Sequence, residues 1–373
     1  MKDENPNIKE KILLVSSDHS LGMIHFAASI INKLSENPHI EFYSILTEKG
    51  NYNYKNKLTP KALERTITIE CPQNKFINGL YKVIPIDIAT AIKKTTKKYN
   101  IKKIHFLTGD FRMWSFIKLF NFQYYYTVHD LTPHERKISD IKHKLLSKYM
   151  NWSYKYNTQH IHNLITCSKE QYEELKEVYP KKNIQFAHFP SLVNNEIANG
   201  NLKVKELKDI DNYILFFGGV DYYKGVDILV EAYERIKHKL SIPLVIAGKG
   251  IHFEGNNIIA INRVIDDKEI KDLFSKATVV VYPYRSITMS GVLSIAYYFK
   301  KNVIISDLGF FLQNKSKNTQ VFKNGNTEDL AKTLAETISN LSDMSTAYDE
   351  IYSGETMINQ YLSFYITNLT NLE

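Results

Sequence analysis

The sequence predicts an α/β fold made of two doubly wound domains, each a parallel sheet covered by helices. Short apolar runs rich in Val and Ile alternate with segments at helical spacing, which is typical of buried parallel strands and crossover helices. The chain of 373 residues is long enough for two hydrophobic cores. We therefore expect two such domains that face each other across a cleft at the carboxyl edges of their sheets.

In the first half of the chain the pattern predicts a sheet whose first strand is KILLVSS at 11–17. A helix follows, and its apolar residues begin at Ile24. The polar stretch 51–57 is predicted to be a mobile loop. A helix is expected at 86–98. Further strands of this half are predicted at 40–46, 103–107, 124–128, 164–166 and 184–189, and strands of the second half at 214–217, 279–282 and 303–305.

The stretch 279–307, VVVYPYRSITMSGVLSIAYYFKKNVIISD, predicts a site for a phosphate-bearing ligand. Two buried strands flank a helix that should begin at Ser290, with Gly291 and Val292 in its first turn. A serine cap, a glycine that allows close approach and unpaired N–H groups form an anion site at a helix start. The alternative is an ordinary strand, cap and helix with no ligand.

A second strand-to-helix corner lies upstream, in ILFFGGVDYYKGVDILVEA at 214–232. A buried strand leads into Gly218 and Gly219, and Lys224 then precedes a helix. An ammonium group at such a corner can meet a phosphate as a point charge. The spacing is not that of a P-loop, so nucleotide hydrolysis is not indicated.

These two stretches resemble the donor-binding half of the GT-B glycosyltransferases of family 4, also called group 1. The shared motifs are "FxG, five residues, KGxDxLxxA" and "PYRxxTxSGVLxxAxxFxxxVIxSDxG", joined by AGKG at 247–250 and NRVI at 262–265. The resemblance covers most of residues 212–330. We assign an amino-terminal, acceptor-side domain to 1–195 and a nucleotide-sugar-binding domain to 196–349. In the resembling fold the final helix, about 350–373 here, packs back on the first domain.

The resemblance implies a retaining, metal-independent enzyme without a cofactor that moves a sugar from a UDP- or GDP-linked donor to a saccharide or lipid-linked acceptor. Such enzymes act in bacterial-type surface polysaccharide or glycolipid synthesis. By position, His129 would face the donor sugar with Asp130 beside it. The base or ribose would meet Arg263, Val264 and Ile295. The donor diphosphate would meet Gly22, Gly218, Gly219, Lys224, Arg285, Ser290, Gly291 and Val292.

Alternatives stay open at two of these positions. Gly22 is equally explained by a plain turn. A histidine after a strand, such as His129, is often structural, although the carboxyl end of a strand is where ligands of open sheets bind.

Three residues depart from the family's motifs. Gly219 stands where the family has an arginine, so Arg285 and Arg263 are the candidates to replace that charge. Ile287 and Ile295 stand where the family has a pair of glutamates, one of which holds the ribose. A catalytically degenerate homologue that binds a sugar nucleotide or a partner transferase without turnover is therefore the alternative function.

Charge is concentrated in the first half, where residues 1–195 hold 29 Lys and Arg against 18 Asp and Glu. This excess predicts an anionic partner for the first domain, such as a membrane surface. No known basic motif for nucleic acid is present, so we expect no nucleic-acid partner. The two cysteines and scattered histidines predict neither disulfides nor a metal site. No secretory signal or spanning segment is evident, and we expect a cytoplasmic protein, with the inner face of the membrane as a further location.

The segment Arg136 to Tyr156 combines apolar residues at helical spacing with six cationic ones. One interpretation is an amphipathic helix packed on its own sheet. The other is a face that rests on an anionic bilayer, with Tyr and Trp at the interface.

Overall fold

The computed structural model describes residues 9–18, 20–50, 53–72, 85–108, 112–131, 141–253, 255–353 and 356–366, without the side chains of 141–143. The chain forms two units and passes from the first to the second between Pro190 and Ser191. The first sheet contains β1 (Glu10–Ser16), β2 (Ile40–Glu48), β3 (Thr66–Glu70), β4 (Lys103–Phe106), β5 (Gln123–Thr127), β6 (Asn163–Thr166) and β7 (Asn183–Phe186). The second contains β8 (Tyr213–Phe217), β9 (Leu244–Ala247), β10 (Ile258–Ile261), β11 (Ala277–Tyr282), β12 (Asn302–Ser306) and β13 (Gln320–Phe322).

Helices connect these strands in both units. The α-helices of the first unit are Leu21–Glu36, Pro60–Leu63, Ile86–Tyr99, Trp114–Leu119, Ile141–His160, Lys169–Val178 and Thr356–Tyr365. Those of the second unit are Asn195–Asn199, Val226–Ile236, Asp267–Ser275, Val292–Tyr298, Gly309–Gln313, Thr327–Ser339 and Ala347–Tyr352. Three short 3₁₀ turns, Lys205–Leu207, Tyr222–Lys224 and Lys237–Lys239, also belong to the second unit.

Both sheets are parallel and doubly wound, which confirms the predicted fold class. The strand orders are β3-β2-β1-β4-β5-β6-β7 and β10-β9-β8-β11-β12-β13. The order reverses between β1 and β4 in one sheet and between β8 and β11 in the other. Ligands of such sheets bind outside the carboxyl ends of the strands at these switch points. In the second unit, a ligand site is therefore expected at the carboxyl ends of β8 and β11.

The predicted strand pair 279–282 and 303–305 is present as β11 and β12, which pair in parallel from Val279 opposite Asn302. Val279 to Tyr282 have no exposed surface. Complete burial on both faces explains why the sequence there is a continuous apolar run and not an alternating one.

The stretch predicted as a mobile loop at 51–57 is a loop in its described part, 53–57, but one of its side chains is anchored. Tyr54 is fully buried, and its hydroxyl lies 3.0 Å from Ser16 Oγ. Its backbone N–H donates to Glu48 Oε1 at 2.8 Å. Tyr54 is surrounded by polar residues in the sequence, but its buried ring and hydroxyl fix this segment on the end of β1.

The helix Thr356–Tyr365 is joined to the first sheet through a buried histidine. His105 on β4 has no exposed surface. Its Nδ1 lies 2.5 Å from the Tyr365 hydroxyl, and its Nε2 lies 2.9 Å from Thr127 Oγ1 on β5. Nearby, Gln185 Nε2 donates to the carbonyl of Gln360 at 2.8 Å. These contacts fix the helix Thr356–Tyr365 on the first sheet.

We expect stability to depend on pH through His105. Burial lowers its pKa from 6.5 to about 3 in the folded protein. Below pH 6.5 the unfolded chain binds a proton that the folded chain does not, so the free energy of unfolding falls as pH drops towards 3. One such group gives a slope of about 1.4 kcal/mol per pH unit. Urea unfolding at pH 7, 6 and 5, compared between the parent and His105→Gln, measures it. Equal slopes for the two proteins would contradict this assignment.

Candidate functional site

The corner after β8 is shaped by two glycines. Gly218 has φ +133° and donates its N–H to the carbonyl of Ala247 at 2.9 Å. Gly225 has φ +62°, and a Cβ there would lie 2.0 Å from the carbonyl oxygen of Pro283. Only glycine fits at position 225, because any side chain would collide with the backbone that follows β11. The loop between these glycines is therefore pressed against the end of β11.

Lys224 is the last residue of the turn Tyr222–Lys224 and projects over Gly218. A Cβ at Gly218 would lie 3.2 Å from Lys224 Nζ. The ammonium lies 5.3 Å from the ring centroid of Tyr284 and 5.7 Å from that of Tyr223. Within the described ranges, no carboxylate forms an ion pair with Lys224. The switch point of the second sheet thus holds a cation whose charge no carboxylate of the described residues neutralises.

Gly219 follows Gly218 in the chain and is exposed. A Cβ at Gly219 would meet only the carbonyl oxygen of Lys249, at 3.8 Å, an ordinary contact. Its backbone lies outside the left-handed region, so a side chain is sterically allowed. The arginine of the resembling family would fit here, and the fold does not require its absence.

Arg285 is bound by a carboxylate instead of being free for phosphate. Its Nη1 and Nη2 donate to Asp227 Oδ1 and Oδ2 at 2.7 and 2.6 Å. The guanidinium also lies 4.4 Å over the ring of Tyr222. Hydrogen bonds from Arg285 hold the pKa of Asp227 below its usual value. A phosphate contact from Arg285 would have to compete with this bidentate ion pair.

The predicted ribose and base residues are not brought together as one polar site. Arg263 donates to Glu206 at 2.8 and 3.0 Å and to Glu269 at 2.7 and 2.8 Å. Ile295 is only 5% exposed and has no polar side-chain atom for a ribose. Val264 is 41% exposed and available for a flat apolar contact. Of these three residues, Val264 is the one whose exposure suits a ligand.

The predicted serine cap at Ser290 is wrong. The helix begins at Val292 with Gly291 at the N-cap, and no side chain caps it. Ser290 lies one residue too early to cap, and Ser294 instead donates to the carbonyl of Gly291 at 2.7 Å. The N–H groups of the first turn have no intrahelical acceptor, as at every helix start. Ser290 is partly exposed next to them.

His129 follows β5 in the first unit. Its Nε2 lies 2.8 Å from the carbonyl oxygen of Leu107, so Nε2 carries the proton and donates. The ring packs edge-on against Phe26, with 4.8 Å between centroids. Nδ1 is buried and has no hydrogen-bond partner in the described part of the chain. Burial lowers the pKa of His129, whereas the hydrogen bond to Leu107 acts to raise it. Burial is the larger effect, and it favours a neutral ring.

The other two predicted residues of the first unit are open to solvent. Gly22, in the first turn of the helix Leu21–Glu36, is exposed, and a Cβ there would meet no atom within 4 Å. Asp130 is exposed beside His129. Gly22 therefore lies inside the helix and leaves open space beside its backbone.

Tyr223 and Tyr284 are site residues that sequence reasoning missed. Both lie within the quoted motifs, as the residue before Lys224 and the residue after Pro283. In a sequence, a tyrosine next to a strand end looks like a core residue. The position of these two rings beside the ammonium also depends on contact between the corner after β8 and the corner after β11, which are about sixty residues apart. No group of three or more His, Cys, Asp or Glu side chains able to hold a metal occurs among the described residues.

Most of the second unit is similar in sequence to known glycosyl transferases. Residues 211–340 match the family described as glycosyl transferases group 1. The O-antigen chain mannosyltransferase C of Escherichia coli is 26% identical over 182 residues, 43% of this chain and 47% of that protein. The matched region thus spans about half the length of that relative.

Two solved structures share the fold at low sequence identity. The sucrose-phosphate synthase of Thermosynechococcus elongatus has a TM-score of 0.68 and 16% identity, over 98% of this chain and 100% of that one. HepE of Anabaena, solved with UDP and glucose, has a TM-score of 0.67 and 13% identity, over 96% and 100%. The resemblance seen in the sequence is thereby confirmed: the chain has the GT-B glycosyltransferase fold, and its residues 211–340 match the group 1 glycosyl transferases.

Proposed function

We propose that this protein is a glycosyltransferase that uses a nucleotide-diphosphate sugar, bound in the second unit at the carboxyl ends of β8 and β11. The observation that carries the proposal is Lys224, whose ammonium lies over Gly218 and has no carboxylate partner in the part of the chain that the structure describes. It lies inside the region that matches the group 1 glycosyl transferases. A preplaced cation of this kind suits a diphosphate.

The chemistry follows from where charge develops. Breaking the bond between the anomeric carbon and the phosphate oxygen leaves negative charge on the departing nucleoside diphosphate, and Lys224 stabilises it. The acceptor hydroxyl oxygen bonds to the anomeric carbon, and its proton passes to the leaving phosphate. We propose retention of anomeric configuration and no metal ion. We name no general base, because no side chain is required to take the proton.

We propose a saccharide or lipid-linked acceptor in surface polysaccharide or glycolipid synthesis. Support comes from the likeness of the matched region to an O-antigen chain mannosyltransferase. The proposed donor carries UDP or GDP, and the structure of HepE with UDP shows that this fold accommodates one of them.

A degenerate homologue that binds without turnover is the second candidate function. The observations that favour it are the missing arginine at Gly219 and the apolar residue Ile295, which is buried. Under this alternative Lys224 still binds a nucleoside diphosphate, but no sugar is transferred.

Turnover separates the two functions. The purified protein is incubated with a panel of UDP- and GDP-linked sugars and candidate saccharide or lipid-linked acceptors, and free nucleoside diphosphate is measured. We expect release above the blank for at least one donor, and loss of that release in Lys224→Ala. Binding of a nucleoside diphosphate without release from any donor would favour the degenerate homologue.

We further propose that the first unit contacts an anionic membrane through the helix Ile141–His160. No helix of the described residues is both long and apolar enough to cross a bilayer. Lys144, Leu145, Lys148, Trp152 and Lys155 form one exposed face of this helix, which we call the lysine–aromatic face. Leu145 is 63% and Trp152 48% exposed, and the helix contains no acidic residue. Residues 136–140 of the predicted segment lie outside the described residues.

Replacing Lys144, Lys148 and Lys155 by glutamine should lower binding to anionic vesicles by at least about 10-fold, since each lysine near such a surface contributes about 1 kcal/mol. Thermal stability should change little, because all three side chains are exposed. Co-sedimentation with vesicles containing phosphatidylglycerol measures binding. The matched control replaces Lys208, Lys239 and Lys271, exposed lysines of the second unit. Equal losses in both triple variants would contradict a role for this face.

A further inference from the structure

Tyr284 lies directly under the Lys224 ammonium, where the chain leaves β11. It is 1% exposed and packs edge-on against Phe311, with 5.2 Å between ring centroids. The ring of Tyr223 meets it at 6.1 Å and 86°. The two tyrosines thus form a fixed aromatic corner next to the lysine.

This corner holds a cation without neutralising it. Lys224 Nζ lies within 6 Å of both ring centroids, the range in which a ring face attracts an ammonium. A carboxylate in the same place would attract the ammonium more strongly but would repel a phosphate. Aromatic rings fix the position of the charge and leave it free for an anion.

The hydroxyl of Tyr284 is the observation that a purely structural role leaves unexplained. It is buried and has no hydrogen-bond partner in the described part of the chain. Burial raises the pKa of Tyr284, and the neighbouring Ser290 side chain opposes that rise, although the two groups fall short of hydrogen-bond geometry. Phenylalanine would fill the same space without burying an unpaired polar group. The unpaired hydroxyl points to an arrangement completed when a ligand is bound.

We propose that Tyr284 is a positioning residue for the donor diphosphate. Its ring holds the Lys224 ammonium over Gly218, and its unpaired hydroxyl lies next to Ser290 on the same side of the site. Tyr284 therefore links the corner after β8 to the corner after β11, across the switch point of the sheet. This inference rests on the proposed function.

A double-mutant cycle tests the link, because residues that act through one another have non-additive effects. Calorimetry with UDP and GDP is carried out on the parent, Tyr284→Leu, Lys224→Ala and the double variant. In the chain that keeps Lys224, we expect Tyr284→Leu to weaken nucleotide binding about 5-fold, the size of effect expected when a cation–π contact partly removed from water is lost. In the Lys224→Ala chain, the same substitution should weaken binding less than about 2-fold. Tyr284→Phe keeps the ring and should keep the coupling to Lys224.

Tyr223→Leu is the second variant, since Tyr223 is only partly buried and its replacement does not disturb the core. It should show a smaller loss with the same dependence on Lys224. Equal losses with and without Lys224, for either tyrosine, would make the tyrosines structural and overturn the inference while leaving the donor site in place. A parent protein that binds neither UDP nor GDP would overturn the proposed function as well.

Discussion

Lys224→Ala should weaken the binding of the nucleoside diphosphate by about 1.5 to 3 kcal/mol, or about 10- to 150-fold, the range for a hydrogen bond to a charged group. No described carboxylate pairs with this ammonium, so its charge is available to the ligand. Titration calorimetry with UDP and GDP measures the change. Lys239→Ala, an exposed lysine of the same unit, is the control and should bind like the parent.

A role for the Lys224 charge also predicts a salt dependence and a rescue by a second cation. Binding by the parent should weaken with rising salt, and Lys224→Ala should show a smaller salt dependence, because a charge contact has been removed. Adding Gly219→Arg to the Lys224→Ala chain should restore part of the affinity, since position 219 has open space for the family's arginine. Unchanged affinity in a folded Lys224→Ala protein would remove this lysine from the site.

His129→Ala should lower the rate of sugar transfer on the order of 100-fold, comparable to the loss of one preorganised polar contact. Its affinity for free nucleoside diphosphate should stay that of the parent, because Lys224 and the corner after β8 belong to the other unit. An interaction that strengthens only in the transition state acts on the rate and not on ground-state binding. Transfer kinetics and calorimetry on the same preparation measure the two effects.

The structure supplies the competing explanation for His129. Its Nε2–H already donates to Leu107, and its ring packs against Phe26, so the side chain also stabilises the first unit. His129→Gln, which can keep a donor for Leu107, should restore stability but not the transfer rate. Full activity in His129→Ala would make the residue structural, and lost nucleotide binding in a folded variant would mean that the division of roles between the units is wrong.

Much of the fold could be predicted because its parallel strands are buried on both faces. The runs at 279–282 and 303–305 carry only apolar β-branched or aromatic residues over most of their length, and no other element gives that pattern so compactly. The helix Pro60–Leu63 and the edge strand β3 were not predicted. β3 is short, and its residues are partly or fully exposed, so it lacks the buried run that marks strands such as β8, β11 and β12.

The sequence points to the backbone of the candidate site but not to the pairing of its side chains. Gly218 and Lys224 can be picked out from the sequence alone, because both belong to the short loop between β8 and the helix Val226–Ile236. Arg263 and Arg285 were assigned to phosphate or ribose by proximity in the sequence. Arg263 has one carboxylate partner nearby in the sequence, Glu269, but its other partner Glu206 lies 57 residues away. The partner of Arg285, Asp227, lies 58 residues away, and only folding brings these distant pairs together.

A crystal structure of the protein with whichever of UDP or GDP it binds tests the central claim most directly. The account predicts a diphosphate at the carboxyl ends of β8 and β11, with a phosphate oxygen at about 3 Å from Lys224 Nζ. A nucleotide bound elsewhere on the protein, with no phosphate near Lys224, would contradict the account.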